Sequence, residues 1–160
     1  MATDFTTAIH VLADGGVEFV IVGGLAATVH GSARLTRDLD VLYRRTRDNV
    51  ERLATALRPH HPYLRGAPPG LPFVFDAETI VRGLNFTLTT DLGPLDLLGE
   101  MAGAGAFEDV APRTVEVVLF DRRCRVVDLM MLIRAKRAAG RPKDLEAIAE
   151  LEALVGERDE

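Results

Sequence analysis

The 160 residues include one cysteine, Cys124, and no tryptophan. A single thiol excludes an internal disulfide and a cysteine-rich zinc site. The four histidines, His10, His30, His60 and His61, form no H-E-x-x-H arrangement, so no zinc is expected. No apolar stretch nears the roughly 20 residues of a membrane-crossing helix, and the first residues lack the basic-then-apolar layout of a secretion signal. A cytoplasmic protein without membrane contact is the expectation. Lysine is nearly missing: among 19 basic residues only Lys136 and Lys143 are not arginine. With the abundance of Ala, Gly and Leu, this is the bias of a GC-rich genome, and a lone arginine means less than either lysine. A net charge of −5 excludes general electrostatic adhesion to nucleic acid or anionic membrane, though arginines still cluster locally over 34–47 and basic residues over 134–143.

What is present describes one α+β domain spanning 1–160, with a core over about 3–127 and a C-terminal helical pair over about 128–156. Hydrophobic periodicity predicts a helix over 3–13, a short β-branched strand over 17–22 and a small helix over 24–30. It continues with a strand over 38–43 and a helix over 47–58. Five of the eight prolines fall in 59–72, which reads as a loop, exposed connection or lid. Residues 73–75 are short and extended, 84–90 and 95–98 are strands about a Gly93-Pro94 turn, and the Gly/Ala-rich 100–107 reads as a flexible linker. Gly103-Ala104-Gly105 lacks the third glycine and βαβ setting of a dinucleotide fingerprint. A hairpin over 115–127 and helices over 129–139 and 142–155 complete the chain.

The informative stretch is 20–43. An apolar strand stops at Gly23-Gly24, where glycine lets backbone approach a ligand and a helix start presents free N–H groups to an anion. After thirteen intervening residues come Asp38-Leu39-Asp40. On a strand the two carboxylates project from one face while Leu39 and Val41 enter the core. Like charges held so close raise each other's pKa unless a cation lies between them, and Mg²⁺ is typically held by carboxylates together with substrate phosphates. Asp96, between Leu95 and Leu97, has the same setting. If its strand lies beside that of Asp38 and Asp40, three acids can hold two metal ions at an in-line displacement on phosphorus. Asp96 could also accept a proton from the attacking hydroxyl. Asp128 competes for the third-acid role but fits a helix N-cap better.

These residues resemble the signature of the DNA polymerase β-like nucleotidyltransferase superfamily. The fuller pattern G-G-x-A, then H-G-x-x-R-x-T-x-D-x-D, over 23–40 is similar to bacterial AbiEii-like abortive-infection nucleotidyltransferases, some of which are toxins paired with antitoxins. The resemblance implies a mixed β-sheet with helices mainly on one face and two C-terminal helices. It also implies transfer of a nucleoside monophosphate from a triphosphate to an acceptor such as tRNA or a protein, in a toxin–antitoxin or phage-defence setting. Asp38, Asp40 and Asp96 would then hold Mg²⁺, or Mn²⁺, in a two-ion site and carry catalysis. Gly23, Gly24, Arg34, Thr36 and Arg37 would surround the nucleotide, with Ser32 replacing the serine usual beside the first glycine. Lys136, Arg141 and Lys143 match a late basic motif. Pro142 opening a helix puts Lys143 in its first turn, where a cation is disfavoured unless an anion binds there. RNA ends, protein hydroxyls, sugars and aminoglycosides all stay open as acceptors. So does a catalytically inactive relative that binds nucleotide or a partner protein, such as a cognate toxin or antitoxin.

Overall fold

The computed structural model describes residues 2–159. In chain order the elements are α1 (Phe5–Asp14), β1 (Phe19–Val22), α2 (Gly23–Val29), β2 (Leu39–Tyr43), α3 (Arg47–Leu57), β3 (Tyr63–Leu64), α4 (Ala77–Arg82), β4 (Phe86–Thr90), β5 (Gly93–Leu98), β6 (Glu100–Met101), β7 (Gly105–Ala106), α5 (Phe107–Val110), β8 (Thr114–Leu119), β9 (Arg122–Val127), α6 (Leu129–Ala139) and α7 (Pro142–Asp159). Seven strands form one mixed sheet in the order β3-β4-β5-β2-β1-β9-β8, and β6 with β7 makes a separate ribbon. β1 and β2 run antiparallel, whereas β2 pairs parallel with β5, and β1 parallel with β9. This places the two Asp-bearing strands side by side at the centre of the sheet.

Polar residues start the helices where the sequence puts them. Asp4, Asp76 and Asp128 each accept a backbone N–H three residues on, at Thr7, Thr79 and Met131, satisfying donors that a helix start leaves open. Asp128 is thus the cap of α6. The core is built from the fully buried β1, from Leu39, Val41 and Leu42 of β2, from Leu95 and Leu97 of β5, and from Ile9, Leu12, Leu53 and Leu57 of α1 and α3. Asn49 of α3 is buried, and its side chain accepts from Glu18 N–H at 2.6 Å while donating to the carbonyls of Glu18 at 3.0 Å and Arg44 at 2.8 Å. It clamps the entry of β1 to the exit of β2. Asn49→Ala should strand these backbone groups and cost about 3 kcal/mol, read as a lowered urea midpoint at unchanged slope.

Three local expectations are corrected. Residues 100–107 are not a flexible linker: they form the β6–β7 ribbon, and Gly103, at φ +75°, is pressed so close to α6 that a Cβ would stand 2.6 Å from that of Ala138. The small residues are there for close packing. Residues 73–75 add no strand, because Phe73 and Phe75 instead join Tyr63 and Phe86 in a chain of ring contacts. The proline-rich 59–72 segment is more than a connection, since it contains edge strand β3, whose pairing continues through Arg65 N–H to Thr87 O at 3.0 Å. The β8–β9 hairpin turns on Phe120 and Asp121, both at positive φ, a backbone whose twist suits two-residue hairpins.

Candidate active site

Strand register assembles the acids. Val22 is paired with Asp40 across β1 and β2, Asp40 with Asp96 across β2 and β5, and Asp96 with Thr87 across β5 and β4. The bond from Arg65 to Thr87 extends this line to the edge of the sheet. Val22, Asp40, Asp96, Thr87 and Arg65 therefore form one row running across the strands, and Gly23, the residue after Val22, lies against the Asp40 carboxylate. Alternation turns Asp40 and Asp96 away from the face that carries Leu39, Val41, Leu95 and Leu97. Asp38 lies immediately before β2, and its carboxylate is 3.8 Å from the Arg65 guanidinium, which also stands 2.9 Å from Asp96 Oδ1.

The two central carboxyls are close enough to share a proton. Burial pushes Asp40 up to about 8, helped by its hydrogen bond to Asp96 and by the charges of Asp96 and Asp38, with Arg65 opposing. The folded state then keeps a proton that the unfolded chain releases near pH 4, so cation-free stability should fall as pH rises from about 4 to about 8 and level off above. Thermal unfolding at pH 5, 6.5 and 8 in chelator tests this, and a divalent cation should flatten the slope. Asp40 Oδ1, Asp96 Oδ1 and Arg65 Nε are buried without an aligned hydrogen-bond partner. Two carboxylate oxygens on neighbouring strands, that of Asp96 faced by the Arg65 guanidinium at 2.9 Å, fit a hard divalent cation. Among the described residues, however, no three acidic or metal-ligating side chains close around one point, and Arg65 lies between Asp38 and Asp96.

Each glycine is filled by a residue of the Asp loop. At Gly23, with φ +66°, an added Cβ would fall 2.0 Å from Asp40 Oδ2, and at Gly24 it would fall 2.4 Å from Thr36 Oγ1. The glycine pair thus makes room for the acid and the threonine to pack onto the start of α2. Beside this junction a cleft of about 490 Å³ opens between the Gly23–Gly24 corner and the α6–α7 pair. Gly23, Gly24, Ser32, Arg34, Thr36 and Asp40 line one side. Lys136, Arg141 and Lys143 line the other. Asp38, Asp96 and Arg65 are outside it, beyond Asp40.

Several of these basic and polar groups are already engaged. Ser32 donates to Glu150 at 2.8 Å and Arg34 pairs with the same carboxylate at 2.6 Å, tying the 31–38 loop to α7. Arg141 is held by Asp144 at 2.6 Å, and that pairing lowers the Asp144 carboxyl. Lys143 has no ion-pair partner among the described residues. The side chain of Arg37 is exposed and is not among the cleft-lining residues. Arg65 is the residue that sequence reasoning missed.

The chain superimposes on the lincosamide antibiotic adenylyltransferase LnuA, lincomycin-bound, with a TM-score of 0.61 at 14% identity, covering 96% of this chain and 98% of that one. A protein of Thermotoga maritima, described as a candidate nucleotidyltransferase, gives 0.59 at 12% identity over 92% and 91%. An antigenic nucleotidyltransferase-like protein from Paracoccidioides brasiliensis gives 0.54 at 14% identity over 97% and 78%. The fold is that of the nucleotidyltransferases. No family model matches the sequence, and no curated protein matches it significantly; the abortive-infection resemblance therefore rests on the motif residues. Within this fold, Asp40 and Asp96 face each other across paired central strands, with Gly23 against the Asp40 carboxylate.

Proposed function

We propose that the chain is a nucleotidyltransferase that moves a nucleoside monophosphate from a triphosphate to an acceptor hydroxyl, forming a bond from the hydroxyl oxygen to the α-phosphorus and breaking the α–β anhydride with release of pyrophosphate. The observation that carries this reading is the register of Asp40 against Asp96 on adjacent parallel strands, with Gly23 packed under the Asp40 carboxylate. Nucleotide would enter the cleft, its phosphates reaching Lys143, Lys136 and Arg34 on either wall. Asp40, at the cleft floor, and Asp96, on the far side, would hold a divalent cation between nucleotide and acceptor, with Asp38 contributing from the strand start. When bound, Mg²⁺ or Mn²⁺ neutralises charge on the transferred phosphoryl group. Asp96, outside the cleft, would take the proton of an arriving hydroxyl.

The acceptor side would be the face bearing Asp96, Thr87 and Arg65. The fold likeness to lincomycin-bound LnuA over 96% of this chain favours a small hydroxyl compound as acceptor. tRNA and protein acceptors, in the toxin–antitoxin setting the motif implies, belong in the same assay. The test is transfer of label from α-labelled triphosphates with Mg²⁺ or Mn²⁺ to lincosamides, aminoglycosides, total tRNA and cell protein. Transfer to none of them, with triphosphate binding intact, would favour the second reading, a nucleotide- or partner-binding relative without turnover. One observation supports that alternative: a guanidinium already compensates the acids.

A further inference from the structure

We infer that Arg65 is a built-in counter-cation of the acidic site, one that a divalent cation must displace, so that the edge segment carrying it controls whether the site is loaded. The inference rests on the nucleotidyltransferase reading. An arginine evolved for a permanent ion pair uses its planar fork bidentately on one carboxylate. Arg65 does not. Its Nη1 lies 3.8 Å from Asp38, its Nη2 lies 2.9 Å from Asp96 Oδ1, and the Nη2 hydrogen bond goes to Leu88 O at 2.7 Å. Its Nε is buried with no partner, and the inner oxygens of Asp40 and Asp96 have none that is aligned. The guanidinium thus bonds the Leu88 carbonyl and supplies charge to the acids, while its own Nε and the inner carboxylate oxygens lack an aligned hydrogen bond.

A metal ion, with oxygen ligands on several sides, satisfies the same oxygens by direct coordination, and it repels a guanidinium at that distance. The two cations compete for one set of acids. Apart from the acids, Arg65 is held by one backbone bond, to Thr87 O, and one side-chain bond, to Leu88 O, both on the neighbouring strand β4. β3 is a two-residue edge strand, and Gly66 follows at φ +81° with open space around it. Sheet-edge segments with few hydrogen bonds open at low free-energy cost.

The experiment is Mn²⁺ titration followed by electron paramagnetic resonance, on wild type and Arg65→Gln, with and without a non-hydrolysable triphosphate. The expected result is Mn²⁺ binding at least about tenfold tighter in Arg65→Gln. Without cation, the variant should melt at lower temperature than wild type, and Mn²⁺ should restore it. Equal or weaker Mn²⁺ affinity in the variant overturns the inference while leaving the transferase reading intact, because Arg65 would then be a permanent part of the site. Absence of Mn²⁺ binding in both proteins overturns both. If Arg65→Gln does not fold, wild type alone decides the matter through the side-chain Nε–H resonance of Arg65: a shift or loss on Mg²⁺ addition supports displacement, and an unmoved signal overturns it.

Discussion

Asp40→Asn is expected to lower nucleotidyl transfer by roughly 10³-fold while leaving the fold intact or slightly more stable. Both halves follow from the same contacts. Asp40 is the carboxyl that burial and its neighbours Asp96 and Asp38 drive up to about 8, so its ionisation is a liability to the cation-free protein. An amide of the same shape removes that liability, and the decline in melting temperature between pH 5 and 8 should flatten. The amide also removes a charge that a bound cation needs, so metal affinity should fall together with turnover. Asp96→Asn should lose activity to a similar extent, but with Arg65 left facing one acid fewer its stability should drop. Activity of Asp40→Asn within tenfold of wild type would mean that this carboxylate is not at the chemistry, whatever the fold.

The centre of this molecule was readable from residue pattern because its constraints are local. Val20–Val22, the glycine pair and the alternation in Asp38–Val41 specify a strand, a corner and a second strand with its acids on one face. The partnership of Asp96 with Asp40 was stated only as a condition, since which strand lies beside which is a long-range fact; the parallel pairing of β2 with β5 across more than fifty residues carries no local signature. Arg65 was illegible for the same reason. It sits in a proline-rich stretch resembling a surface loop, in a chain where arginine abundance blunts every arginine signal, and only edge pairing with β4 brings it onto the acids. The late basic motif, Lys136, Arg141 and Lys143, lines the cleft, and Arg141 is held there by Asp144. That contact, between residues three apart, also lets Asp144 cap the start of α7 by accepting the Arg141 N–H.

Gly23→Ala should be nearly as damaging to activity as loss of Asp40 itself, although Gly23 carries no reactive group. Its φ of +66° costs an L-residue about 1–2 kcal/mol on its own. The larger effect is steric. The new methyl would lie 2.0 Å from Asp40 Oδ2 and 2.9 Å from its Cγ, distances at which something must move. The Asp40 carboxylate cannot retreat along the strand, because its backbone is paired on both sides, to Val22 and to Asp96. It must rotate, which takes it out of line with Asp96 or out of the cleft floor. The alternative is that the start of α2 shifts outward and carries Gly24 away from Thr36, opening the corner where phosphate is proposed to bind. Either movement separates nucleotide from acid, so turnover should fall by roughly 10²-fold or more and Mn²⁺ affinity should fall with it. Gly24→Ala discriminates between a general packing defect and damage directed at the acid. Its methyl meets the Thr36 hydroxyl at 2.4 Å and not a carboxylate, so Mn²⁺ binding without nucleotide should survive while triphosphate binding weakens. Equal loss of Mn²⁺ affinity in the two variants would show that the corner folds as a unit and that Gly23 has no particular tie to Asp40.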